Sequence, residues 1–154
     1  MFNFAKKRIN KLLEKAELGD LEAQFQLGRN YDKGIDVTVD KKLAWYWTSK
    51  SAKGGFAEAQ ATLSALILRD FKDDKLKLLE AFSMAKKSAD QGNGFGLAML
   101  GRFYGDGIVV EEDLDKAYEL YKTAYYEKGF KKARISVREL QMYMFNKKQL
   151  SLYK

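Results

Sequence analysis

The chain has 154 residues, 46% of them hydrophobic, enough for one compact domain with a continuous core. It contains no cysteine, histidine or proline, which removes disulfides, thiolate metal sites, and the commonest general base and metal ligand. The formal charge of +7 sits at the two ends: residues 128–154 hold eight basic residues and one acidic, residues 1–18 hold five and two, and the stretch between is mildly acidic.

Residues 4–18 are predicted to form an amphipathic helix, with Ala5, Ile9, Leu12, Leu13 and Ala16 on one face and Lys6, Lys7, Lys11 and Lys15 on or beside the other. The start has charge directly after its first aromatics and no long apolar run, so it is not read as a secretory signal, and the expected location is cytoplasmic. No stretch approaches the roughly 20 apolar residues of a membrane span. Gly19 and Asp20 then end this helix and cap the next.

From there one grammar repeats. Gly28, Ser64, Gly101 and Arg138 stand at aligned positions 36, 37 and 37 residues apart, and Gly19, Gly55, Gly92 and Gly129 keep the same intervals. A first helix (A) is expected over about 21–32, 57–69 and 95–104. A second (B) is expected over about 43–53, 76–90 and 114–127. The implied fold is all-α, an α-α superhelix of about three full helix-pair repeats (20–55, 56–92 and 93–129) between capping helices at 4–18 and 131–145. The whole chain, 1–154, is one such domain, ending in a frayed basic tail over 146–154. Alanines at 23, 44, 59, 81, 98 and 117 fall where helix axes approach closely, while Trp45, Trp47, Phe82, Tyr118 and Tyr121 are expected as wedges between units.

Two irregularities stand out. Ala81 follows Asp70 by eleven residues, against ten from Gly34 to Ala44, which points to a longer loop in the second unit. Ala117 to Gly129 is twelve, against eleven earlier, which places an insertion at or near Tyr125-Tyr126.

The phrase A-x-A-Q-x-x-L-G-x-x-Y-x-x-G, followed by Asp, K-A with aromatics, and A-x-x-G, resembles the Sel-1-like repeat, a relative of the tetratricopeptide repeat. It is carried best by Leu27, Gly28, Tyr31, Gly34, Asp40, Ala44 and Gly55, and by Leu100, Gly101, Tyr104, Gly107, Asp113, Lys116, Ala117 and Gly129. The second unit departs from it with Ser64, Ile67 and Asp70. The resemblance spans about residues 5–145 and implies a protein–protein interaction module. Short cytoplasmic relatives are often bacterial, and some act as adaptors or immunity proteins.

Chemistry is hard to find in the residues. Gly92-Asn93-Gly94-Phe95-Gly96 looks like a phosphate-cradling loop, but no strand precedes it and no lysine follows at the required spacing. The Glu111-Glu112-Asp113 run lacks calcium-loop ligand spacing. No catalytic, cofactor or metal residue is therefore expected, and the chain is read as a non-enzyme without cofactors. A hydrolase built on an unrecognised carboxylate site, and a basic-ended protein on nucleic acid or anionic membrane, are the alternatives.

In the tetratricopeptide fold the A helices line the concave face. Carried over by register, partner-binding residues are expected at Glu22, Phe25, Arg29, Asp32, Arg69, Phe95, Arg102 and Tyr143. Glu58, Ala61, Leu68, Ala98, Asp106, Ile135 and Glu139 share that face. Phe25 and Phe95 fall off the packing positions and each shares a unit with an arginine, the composition of an interface hot spot. The competing reading is that both pack on the neighbouring A helix. The basic ends suit a partner with an acidic surface.

Overall fold

The computed structural model describes residues 2–151. Among them are eight α-helices and no strand: α1 (Phe2–Glu17), α2 (Leu21–Lys33), α3 (Lys41–Gly54), α4 (Ala57–Asp70), α5 (Lys75–Asp90), α6 (Gly94–Gly105), α7 (Leu114–Lys122) and α8 (Ala133–Ser151). Helices α2, α4, α6 and α8 are the A helices, and α3, α5 and α7 pack beside them as B helices. All four glycines of the second ladder adopt positive φ, 96°, 104°, 75° and 66°, so each B helix, α1 included, turns through a left-handed residue into the next A helix.

Acidic or amide side chains cap the starts of α2, α3, α6 and α7. The backbone N–H of Ala23 donates to Asp20, that of Leu43 to Asp40, that of Gly96 to Asn93 and that of Lys116 to Asp113, all at 2.9–3.0 Å. Each such cap contributes about 1 kcal/mol.

Leu27, Leu63, Leu100 and Val137 are buried at one register position. A second set of ties holds successive helices through buried polar groups. The Gln24 amide donates to the Ala16 carbonyl at 2.9 Å, and Gln60 repeats the bond to Ala52 at 3.2 Å. The Ser51 hydroxyl donates to the Leu21 carbonyl and Ser88 to Ala57, both at 2.7 Å. These bonds give the buried side-chain donors partners; the Ala16 and Ala52 carbonyls also accept from the Gly19 and Gly55 backbone N–H groups.

Both irregularities are absorbed by helices. The extra residue of the third unit becomes a π-helical turn at Thr123–Glu127, continuing α7. In the second unit the longer loop expected from spacing does not form. Helix α4 extends to Asp70 and α5 starts at Lys75, capped by Asp74, so the link shortens to residues 71–74.

The C-terminal helix also differs from expectation. It starts at Ala133 and continues to Ser151, so 146–151 of the expected frayed tail is helical, and 152–154 lie outside the described residues. Gly96, part of the phosphate-loop lookalike, serves packing instead: a Cβ there would sit 2.7 Å from the Ala89 backbone nitrogen.

Candidate functional site: a cleft between the first two A helices

Consecutive A helices are spaced unevenly along the stack. Helix α4 packs directly on α6, whereas α2 stands off from α4. The register position of Phe25 is taken by Ala61 and Ala98 in the next units, and both alanines are buried where helices meet. In the first unit the bulky Phe25 lies against Phe56, which immediately precedes α4, with ring centroids 5.5 Å apart. Small side chains close one gap and an aromatic pair props the other open.

The opening is a cleft of about 440 Å³ with α3 beneath it. Its apolar lining includes Phe25, Trp45, Leu66, Phe95 and Phe130, and its charged lining Arg29, Asp32, Lys33, Lys41, Glu58, Arg69 and Lys132. Phe95 stacks on Phe130 at 5.3 Å, so Phe25 and Phe95 each pack on an aromatic in the link before the next A helix, and both also line the cleft.

The cations have different fates. Lys41 pairs with Asp32 at 2.8 Å, and Arg69 pairs with Asp70 at 2.7 Å. Their hydrogen bond holds the Asp70 carboxyl below the usual carboxylate range and raises Arg69, and the Trp45 indole N–H adds a longer bond to Asp70 at 3.4 Å. Arg29 lies over the Phe25 ring at 5.9 Å and, like Lys33 and Lys132, has no ion pair among the described residues. With five cations against Asp32 and Glu58, the cleft is net positive over an apolar floor.

Of the residues expected to bind a partner, Phe25, Arg29, Asp32, Arg69 and Phe95 come together here, along with Glu58. Glu22 does not line the cleft; it is exposed and accepts a bond from Gln26 at 3.1 Å. Arg102 and Tyr143 line a second depression, between α6 and α8, with Asp106, Tyr121 and Glu139. Arg102 is bound there to Asp106 at 3.2 Å.

Ala61, Leu68 and Ala98 must be removed from the exposed concave face, since all three are buried. Thr62 and Leu66 take that place in α4. The spacing from Glu58 through 62 and 66 to 69 follows one helical face and was available in the sequence. Phe130 and Lys132 arrive from the link before α8, which helix periodicity does not reach.

The described residues contain no group of three or more Asp, Glu, His or Cys side chains able to hold a metal ion, and no helix long and apolar enough to cross a membrane. The cleft offers cations, a stacking surface and a carboxylate, Glu58, that has no ion pair among the described residues.

The Sel1 repeat family model matches residues 21–56, 74–93 and 95–128, more than half of the chain. Among solved structures, a Sel1 repeat protein from Oxalobacter formigenes is 31% identical with a TM-score of 0.70, the match covering 86% of this chain and 98% of that one. The protein c5321, a protective antigen of uropathogenic Escherichia coli strains with an SLR fold, is 29% identical with a TM-score of 0.78. That match covers 88% of this chain but 28% of c5321. No curated protein matches. With the helix pairs, both glycine ladders and the family model in one register, the chain belongs to the Sel1 repeat family, whose solenoids are in general protein–protein interaction modules.

Proposed function

We propose that the protein is an adaptor or regulatory binder that holds an acidic segment of a partner protein in the cleft between α2 and α4. The observation that supports this reading is the pairing of an apolar floor with three cations, Arg29, Lys33 and Lys132, that have no ion pair among the described residues. A carboxylate-bearing segment would give those cations partners, and an aromatic or aliphatic residue from it would fill the space over Phe25 and Leu66.

The test is selection from a displayed peptide library against the purified protein. Sequences with Asp or Glu around one large apolar residue should be enriched, and their binding should be lost in Arg29→Glu and Leu66→Asp while the helical content is unchanged. Enriched peptides indifferent to both substitutions would refute the assignment to this cleft.

A further inference from the structure

We propose that α8 is a docking surface for an anionic membrane, separate from the cleft. By register α8 is a fourth A helix, with Ala133 and Val137 buried in the stack like Ala23 and Leu27. In the three preceding units the A helix is partnered by a B helix. Among the described residues no such helix follows α8. Its outer side shows Ile135, Met142 and Phe145 exposed at 65%, 62% and 57%, spaced i, i+7 and i+10 on one stripe. Arg134 and Arg138 flank and interrupt that stripe, both exposed and without an ion pair among the described residues.

Arg138 decides what this face can receive. It occupies the position held by Gly28, Ser64 and Gly101. At Gly28 even a Cβ would come within 3.2 Å of the Ala44 carbonyl oxygen on the B helix, so a guanidinium cannot be accommodated at that spacing. A further helix packed as closely as α3 is on α2 would meet that side chain, although the much smaller Ser64 is accommodated in the second unit. A second copy stacked head to tail meets a second obstacle. Its α1 would bring Arg8, already paired with Asp36, to the register of Ala44, Ala81 and Ala117, a long side chain where the preceding units have alanine.

An exposed helix face with apolar side chains beside cations that have no ion pair among the described residues instead matches a lipid interface. The apolar stripe enters the acyl boundary while the arginines meet anionic headgroups. A nucleic-acid backbone would satisfy Arg134 and Arg138 but leaves Ile135 and Met142 with nothing to bury against.

The experiment is co-sedimentation of the full chain with vesicles of phosphatidylcholine alone and with about a third phosphatidylserine. Binding is expected only to the anionic vesicles and should weaken as ionic strength rises. The double changes Met142→Glu with Phe145→Glu, and Arg134→Glu with Arg138→Glu, should each lower the bound fraction by about tenfold or more at unchanged helical content. The cleft variant Arg29→Glu should bind vesicles like the wild type, which keeps this outcome distinct from that of the cleft. Failure to bind anionic vesicles would overturn the proposal, as would binding that survives both double changes. So would tighter binding to duplex DNA that ignores the Met142 and Phe145 changes.

Discussion

Phe25 on α2 meets Phe56 at the head of α4 with ring centroids 5.5 Å apart, while one repeat on, the register position of Phe25 is the buried Ala61. At the first of these positions the A helices leave a gap, and at the second they pack directly. The cleft lies at the first repeat junction, and a second depression lies between α6 and α8.

The packing glycines should differ in tolerance. A Cβ at Gly28 meets the Thr48 backbone nitrogen at 3.0 Å and the Ala44 oxygen at 3.2 Å, whereas at Gly101 the nearest atoms lie at 3.3–3.4 Å. Gly101→Leu is expected to cost about 1–3 kcal/mol, and Gly28→Leu more than Gly101→Leu. Chemical denaturation of both variants checks the order, and equal midpoints would show that the first helix pair can relax.

Ser64 holds the same register position, and its buried hydroxyl has no hydrogen-bond partner. Ser64→Ala should therefore raise stability, by about 1 kcal/mol, because an unsatisfied hydroxyl is removed without altering the volume much. A loss of stability in urea titration would mean that the hydroxyl is bonded in solution.

Much of this architecture was legible in the sequence, and the reason is physical. Turns through Gly19, Gly55, Gly92 and Gly129 require left-handed backbone, so glycine marks each unit boundary directly. The insertion near Tyr125 was visible as a broken interval, and the π-helical turn at Thr123–Glu127 lies on it. The link after α4 was misread because spacing counts residues without saying whether a helix or a loop absorbs them. The cleft was only half visible. Phe25, Arg29, Asp32, Arg69 and Phe95 follow from helix faces, but the inward turn of Ala61 and Leu68 depends on how α4 meets α6. The contribution of Phe130 and Lys132 depends on the path of a link. The buried bonds from Gln24 and Gln60 to preceding helix ends were hidden for the same reason.

The C-terminal helix should act as a lid on the core. Ala133 packs with Leu97, Ala98 and Ala124, and Phe130 stacks on Phe95. Deleting the residues after Gly129 is expected to expose this cluster and cause aggregation or loss of cooperative unfolding. A truncated protein as soluble and stable as the full chain would show that α8 is an appendage.

Tyr121 gives a pH signature. Burial, with Asp106 adding to it, pushes its phenol above the usual range. The folded state therefore keeps a proton that the unfolded state gives up near pH 10. Stability from this group is full below that pH and is lost as pH rises through the folded value. Tyr121→Phe should flatten the alkaline fall in melting temperature, and an unchanged profile would mean that the phenol is open to solvent.

The most direct test of the binding cleft is calorimetric titration of a library-selected acidic peptide into single variants on its two sides. The cleft assignment predicts that at least one of Phe25→Ala, Arg29→Ala and Lys132→Ala loses about 2 kcal/mol of binding. Arg102→Ala and Tyr143→Ala, which line the separate depression beside α8, should bind like the wild type. The reverse pattern, with the first three silent and the last two decisive, would contradict the cleft between α2 and α4 as the binding surface.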